Sequence, residues 1–117
     1  MYDAKPDVMQ ALSAIPSVTV SDAYPTDWAK LPHISFYEIA NNPAYPVGRE
    51  TKTEINIQID IWHNRSTGAL AAQVDQSMNA IGFRRAFAAD VPDPAGVKHK
   101  TMRYRGIVDI NTKLVYQ

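Results

Sequence analysis

The sequence predicts an α+β fold in which a mostly antiparallel sheet of about five strands carries two helices on one side. Residues 53–62 alternate apolar and polar side chains without a break, as a half-buried antiparallel strand requires. The residues that follow repeat apolar side chains at helical spacing, and no strand-helix-strand repetition indicates a parallel sheet. We expect the order α-β-β-β-α-β-β in a single domain over residues 1–117.

The start of the chain predicts a helix and a short strand. Val8, Leu12 and Ile15 recur at helical spacing, and a proline follows the last of them. We therefore expect a helix over residues 3–14, because proline cannot continue it. Residues 18–23 then alternate valine with threonine and serine, which predicts a strand that ends at the turn-forming letters YPTD.

The next segment predicts two longer strands separated by a loop. Residues 31–40 favour a strand, with Pro32 tolerated only at its start because proline has no N–H to donate. The turn-forming letters NNPAYPVG at 41–48 predict a loop that leads into the alternating strand at 53–62. The proline-bounded connection before the first of these strands is expected to lay Trp28 over the domain.

The second half predicts one helix and two further strands. Ser66 or Thr67 can cap the helix, and Gly82 lies where a left-handed residue commonly ends one. The apolar face of this helix is formed by Leu70, Val74, Met78 and Ile81. Strands are expected at 83–89 and 101–110, with a loop over DVPDPAGV between them. The final letters LVYQ are expected to extend the last strand or to pair with it again.

The composition indicates a folded protein and excludes some chemistry. Of the 117 residues, 45% are hydrophobic and 21% are charged, which is ordinary for a globular domain. There is no cysteine, so disulfides, thiolate metal sites and cysteine nucleophiles are excluded. The first residues lack the pattern of a signal peptide and no long apolar run occurs. We therefore expect synthesis in the cytoplasm and no membrane partner.

Charge is divided unevenly along a chain whose formal net charge is zero. Residues 1–64 carry eight acidic side chains against four basic ones, and residues 65–117 carry eight basic side chains against four acidic ones. A balanced total argues against a dedicated nucleic-acid-binding protein. The two halves could attract each other between copies of the chain, or neutralise each other within one monomer.

The residues that could support catalysis or metal binding form no pattern typical of an enzyme. Asp60 and His63 lie an odd number of residues apart, so in a continuous strand their side chains point to opposite faces. The histidines are expected at the surface or partly packed, and the acidic side chains are expected to be solvated. No nucleophile elbow, Walker loop or dinucleotide-binding loop occurs. We therefore expect a protein that is not an enzyme and has no metal and no cofactor.

A basic cluster lies in the second half of the sequence. Its basic residues are Arg84, Arg85, Lys98, Lys100, Arg103 and Arg105. Tyr104 lies within it, Asp90 and Asp93 interrupt it, and Arg103 and Arg105 share one face of the expected strand. The cluster could contact DNA without sequence preference, or it could meet an acidic neighbour or solvent.

Four phrases of the sequence carry a resemblance to a known family. They are YPTDWAKLPHISFYE, TEINIQIDIW, ALAAQVDQSMNAIGF with its continuation FRRAFAAD, and KTMRYRGIVDINTKLVYQ. Together they resemble the tail completion proteins of long-tailed bacteriophages, a family also described as tail terminator or tail-to-head joining proteins. The resemblance covers nearly the whole chain in the order of its elements. It supplies no enzymatic residue.

The resemblance implies a structural virion protein at the head-tail junction, made in the host cytoplasm and encoded by a phage or a prophage. Such proteins are monomeric before they meet the tail, and they cap the finished tail tube as a ring, commonly a hexamer. The implied partners are further copies of the chain, the tail tube protein and the head-tail connector or stopper protein. DNA would pass through the lumen without sequence-specific contact. The alternative is a small non-enzymatic module that binds DNA or protein through the basic region at 84–105.

Ring closure requires a heterologous interface, in which one surface of a subunit meets a different surface of the next. We expect the contact surfaces to be the loop at 41–50 and the basic region at 84–105. The candidate contact residues are Asn42, Tyr45, Arg49, Glu50, Arg84, Arg85, Lys98, Lys100, Arg103 and Arg105.

Overall fold

The structure, a computed structural model, describes residues 1–25, 27–45 and 48–116. Within these ranges the chain forms two helices and six strands, arranged as an α+β fold with one mostly antiparallel sheet. The predicted fold class is confirmed, with one strand more than expected. In chain order the elements are α1 (Lys5–Ser13), β1 (Thr19–Asp22), β2 (His33–Ala44), β3 (Lys52–His63), α2 (Gly68–Ala80), β4 (Arg84–Val91), β5 (Lys98–Asp109) and β6 (Val115–Tyr116).

The strands lie in the order β1-β2-β3-β5-β4, and β6 pairs with the end of β5. β1 pairs with β2 in parallel, whereas the other neighbouring pairs are antiparallel. The expected succession of antiparallel hairpins is therefore wrong at β1, because β1 and β2 run in the same direction. That the final residues pair again with the last strand is confirmed for Val115 and Tyr116. Gln117 lies outside the described residues.

β2 is longer than the sequence predicts. The prediction of a loop at 41–48 is wrong over residues 41–44, which continue the ladder with β3, and the rest of that loop is described only in part. Asn41 pairs with Ile55, and its side-chain amide donates a hydrogen bond to the carbonyl of Tyr2 at 2.8 Å. The long partner strand thus overrides the turn preference of the asparagines and proline.

The core lies between one face of the sheet and both helices. The alternation predicted for β3 is confirmed over residues 53–59, and the fully buried apolar side chains of the strand are Ile55, Ile57, Ile59 and Ile61. In the same buried cluster the helices contribute Val8, Leu12, Leu70, Val74 and Met78. Because both helices pack on this covered face, the described residues place no helix on the opposite face of the sheet. We call that opposite face the open face.

α2 begins and ends near the residues predicted for its N-cap and its terminating glycine, but the predicted side-chain cap is not formed by Thr67. Thr67 is the N-cap residue, but its side chain makes no capping hydrogen bond, and Ser66 Oγ accepts from the Gly68 N–H at 3.3 Å instead. Gly82 follows the helix with a φ of 93°, a left-handed conformation that glycine adopts without a Cβ penalty. Neither helix in the described ranges has the length and apolar character to cross a membrane.

Candidate assembly surface

The open face carries rows of polar side chains that pair across the strands. The β3–β5 register places Asn56 opposite Arg105 and Gln58 opposite Arg103, and β4 places Phe87 opposite Arg103. Arg103 Nε donates to Gln58 Oε1 at 3.3 Å, and its guanidinium carbon lies 5.6 Å from the centre of the Phe87 ring. The prediction that Arg103 and Arg105 share a face is confirmed.

Arg105 forms an ion pair on this face. Its Nε lies 2.9 Å from Glu54 Oε1, and that hydrogen bond holds the pKa of the Glu54 carboxyl below its ordinary value. Arg84 is exposed and lies opposite Arg105 in the ladder between β4 and β5. The open face therefore presents three arginines, of which Arg105 is the one joined to a carboxylate in the described structure.

The remaining residues of the basic cluster lie on the helix side of the sheet. Arg85 Nη1 is 3.7 Å from the Asp75 carboxylate of α2, and Lys100 Nζ is 2.9 Å from Asp90. Lys98 lies on the same side as Lys100 by alternation along β5. The basic region at 84–105 is thus divided between two faces of the sheet.

Two of the residues predicted at the 41–50 loop lie beside the open face. Asn42 belongs to β2 rather than to a loop. Tyr45 follows β2 and is 73% exposed. It borders a depression of about 200 Å³ together with Lys52, Ile107 and Tyr116. The structure therefore brings Tyr45 next to the end of β5, which the spacing of the sequence does not indicate.

The other two loop residues have different environments. Arg49 is exposed. Glu50 is bound within its own chain, since its Oε1 lies 3.1 Å from the N-terminal amine and its Oε2 accepts from Thr53 Oγ1 at 2.6 Å. The Thr53 hydrogen bond and the N-terminal ammonium lower the pKa of Glu50. Glu50 is therefore a weaker candidate for contact with another subunit than Arg49.

A cluster of aromatic side chains and histidine on the open face was not predicted from the sequence. Trp62 stacks on His99 with ring centres 3.7 Å apart, and Trp28 packs edge-on against Trp62 at 4.9 Å. The Trp62 indole N–H donates to Ser35 Oγ at 3.2 Å, and His99 Nε2 lies 2.8 Å from Asp60 Oδ1. The prediction that Trp28 lies over the domain is confirmed, and its side chain remains half exposed.

The structure contradicts two predictions about residues in or beside this cluster. Asp60 was expected to be solvated, but it is buried and lies within hydrogen-bond distance of His99 and Gln58. His33 was expected at the surface or partly packed, but it is 5% exposed. His99 reaches Asp60 only because the β3–β5 register places it opposite Trp62, and a register between distant strands leaves no local signal in the sequence. The opposite orientations of Asp60 and His63 are as predicted.

His33 joins the edge strand β1 to β2. Its ring nitrogens lie within hydrogen-bond distance of the hydroxyls of Thr19 and Ser21, both in β1. Ser21 donates its own proton to the carbonyl of Tyr24 at 2.9 Å, so its oxygen can accept from the Nε2–H of a neutral imidazole. Burial lowers the pKa of His33, which favours this neutral form.

The described residues also form a groove of about 540 Å³ between the start of α2 and the β4–β5 loop. Its charged lining is mixed, with Arg65 and Lys98 near Asp90 and Asp93. Across ranges 1–25, 27–45 and 48–116, no group of three or more histidine, aspartate or glutamate side chains is arranged to hold a metal ion. The groove therefore offers no single charge that would select a ligand.

No protein-family model matches the chain, and no curated protein is significantly similar to it. The functional interpretation therefore depends on the geometry of the open face and on the phrases of the sequence that resemble tail completion proteins.

Proposed function

We propose that this protein is a structural component of a phage virion that caps the head-proximal end of the tail tube and joins it to the head connector. Its copies form a ring, a hexamer in the arrangement that the sequence resemblance implies. The observation that carries the proposal is the composition of the open face, which exposes arginine and aromatic side chains together. These residue types are enriched where proteins contact one another. The exposed members are Trp28, Tyr45, Arg84, Phe87, Arg103 and Tyr116.

Two of the three arginines of the open face are held in position before any partner binds. Arg103 is bound to Gln58 and lies over Phe87, and Arg105 is bound to Glu54. All of these side chains project from paired strands, which restricts their movement. A contact surface that is already ordered loses less conformational entropy on binding, which suits a subunit that binds a rigid tube.

The test is charge reversal on this face. Arg103→Glu combined with Arg105→Glu should lower the yield of head-joined tails roughly tenfold or more, because like charges at a contact are strongly unfavourable. Arg65→Glu is the matched control, since Arg65 is exposed and lies in the β3–α2 connection. It should leave head joining near the wild-type level. Thermal melting of both variants checks that they fold, and unchanged head joining by the double variant would remove this function.

A second candidate function uses the same arginines. Arg84, Arg103 and Arg105 share the open face, as a protein that binds the DNA backbone would require. Glu54 neutralises one of them, which favours a protein partner over a phosphate backbone. The alternative predicts binding to duplex DNA that falls steeply as salt rises from roughly 50 to 200 mM. The proposed structural role predicts no such binding at physiological salt.

A further inference from the structure

The two halves of the sheet carry opposite net charge. β1, β2 and β3 carry four acidic side chains against one basic, whereas β4 and β5 carry six basic side chains against two acidic. Because β1 lies at one edge and β4 at the other, the uneven charge of the sequence becomes a gradient across the sheet. A neighbouring copy in the same orientation would bring β4, which has two arginines and one aspartate, against β1, whose one charged side chain is Asp22. This arrangement is electrostatically favourable.

The outer edge of β4 has backbone groups that pair with no described strand. β4 spans eight residues and pairs with β5 on one side, and no described strand covers its other side. Ala86, Phe87 and Ala88 are exposed in its middle, and it contains neither lysine nor proline. Proteins commonly protect open edges with those residues and with bulges, and the bulge of β4 lies between Arg85 and Phe87, so the edge beyond Phe87 has none of these features.

The directions of the strands allow the two edges to meet. β1 runs parallel to β2, and three antiparallel pairings lead from β2 to β4, so β1 and β4 run in opposite directions. When copies lie side by side in the same orientation, β4 of one and β1 of the next form an antiparallel pair. The start of β4 then meets the end of β1.

We propose that copies of this chain join head to tail by pairing β4 of one copy with β1 of the next, with Arg85 opposite Asp22. The proposal rests on the proposed function, which supplies the ring that such joining closes. Arg85 lies opposite the buried Tyr104 and Asp22 opposite the buried Phe36, so both side chains lie on the helix side of the sheet. The two charges therefore meet on one face.

The charges around this contact alternate in sign. Asp22 already lies 3.1 Å from Lys5, and Arg85 lies 3.7 Å from Asp75. Joining the copies would place Lys5, Asp22, Arg85 and Asp75 in succession, so that each charge has a neighbour of the opposite sign. Both ion pairs are partly exposed in the single chain, so a further charged side chain can reach them.

β1 is ordered enough to act as a template. His33 is within hydrogen-bond distance of both Thr19 and Ser21, and these contacts fix β1 against β2. A strand that is already held in a sheet loses little further freedom when another strand adds to its free edge.

Two-fold pairing of β4 with β4 of another copy fits less well. β4 has a bulge between Arg85 and Phe87, and a two-fold ladder would contain that irregularity twice. The acidic member that such a ladder would offer to Arg85 is Asp90, which is paired with Lys100 just as Asp22 is paired with Lys5, so the existing ion pairs do not distinguish the two arrangements. Two-fold pairing would also leave β1 unused and would end at a dimer.

The absence of cysteine in the chain makes a disulfide test direct. Asp22→Cys and Arg85→Cys are prepared as two single variants, mixed, and oxidised on assembled phage tail tubes. Directly opposite positions of an antiparallel pair lie within disulfide reach. We expect a cross-linked dimer from the mixture and none from either variant alone. A mixture of Asp90→Cys with Arg85→Cys is the control for two-fold β4 pairing.

The outcomes separate this proposal from the proposed function. Protein bound to tubes without the Asp22–Arg85 cross-link, or with the Arg85–Asp90 cross-link instead, overturns the edge pairing and leaves the capping function standing. If the protein does not bind tubes, the capping function fails. The same mixture is then oxidised in concentrated solution, where the Asp22–Arg85 cross-link supports the edge pairing and its absence overturns it.

A charge swap between Arg85 and Asp22 tests the β4–β1 pairing independently. Arg85→Glu should reduce the occupancy of tube ends roughly tenfold or more, because the introduced carboxylate would face Asp22 of the next copy. Adding Asp22→Arg to the same chain should restore most of that loss. Failure of the second change to restore binding, in a protein with a normal melting curve, would overturn the pairing.

Discussion

The two faces of the sheet are built by the same strands but differ in burial, and we propose that they differ in role. In β3 the isoleucines at every second position are fully buried under the helices, while Glu54, Asn56 and Gln58 remain partly exposed between them. The alternation of a strand thus buries one set of residues in the core and leaves another at the surface, which we propose makes the contacts with partners. The comparison teaches that substitutions one residue apart should differ strongly in their effect on stability.

The largest expected difference lies between neighbouring parts of β3. Ile59→Ala should lower the free energy of unfolding by about 2–5 kcal/mol, because it leaves a cavity in the centre of the core. Asn56→Ala, on the open face, should change it by about 0.5 kcal/mol or less. Urea denaturation of both variants measures the two values. Equal losses would show that the open face contributes to stability as much as the covered face.

The next largest effect concerns a close contact on the covered face. A Cβ at Gly106 would lie 2.9 Å from Val115 Cγ1 and 3.1 Å from Phe83 Cδ2, so Gly106→Ala should destabilise the protein by about 1–3 kcal/mol. Gly68→Ala is the control, since its nearest atom is 3.7 Å away and it lies in α2. It should be neutral or stabilising by about 0.5 kcal/mol. Thermal denaturation distinguishes the two variants, and a harmless Gly106→Ala would contradict the packing of β6 onto this face.

A smaller effect should depend on pH. The pKa of His33 is lowered by burial from its ordinary 6.5, so the unfolded chain takes up a proton at this residue more readily than the folded one. Its contribution to stability is complete above 6.5 and is lost as the pH falls towards the lower folded pKa. Glu50, Glu54 and Asp109 have lowered pKa values, so their contributions are lost only at more acidic pH.

This pH dependence is measured by urea denaturation between roughly pH 7.5 and pH 5.5. The wild-type protein should lose stability over that range, and His33→Gln should show a flatter dependence even if its overall stability is lower. His63→Gln is the control, because His63 lies near the end of β3 and is not buried. If His33→Gln has the same slope as the wild type, another group is responsible.

The smallest expected effect concerns the open face alone. The Arg105–Glu54 pair is partly exposed, so a double-mutant cycle with alanine at both positions should give a coupling energy of about 0.2–1 kcal/mol. The coupling should weaken in high salt. A coupling well above that range would mean that the open face stabilises the single chain, which would weaken the separation of roles between the two faces.

The sequence contains enough information to predict the helices and strands that have strong local periodicity. The buried isoleucines of β3 and the apolar face of α2 follow from spacing alone. The turn-forming residues at 41–44 gave a wrong prediction, because pairing with β3 stabilises them in an extended strand. The parallel pairing of β1 could not be predicted, since the described residues of the short connection between the two strands form no helix that would indicate it.

The candidate surface was predicted in part. Alternation was sufficient to place Arg103 and Arg105 on one face. It could not show that Lys100 and Arg85 lie on the other face beside acidic partners, because the partner strands and the helix are distant in sequence. The contact between Asp60 and His99 depends on a register across 39 residues, which only the folded sheet defines.

The most direct test of the central proposal is the mass of the protein measured alone and bound to tail tubes. The proposed function predicts a single chain in dilute solution and several copies, closed into one ring, at one end of each tube. A single copy per tube, or no binding at either end, would contradict it.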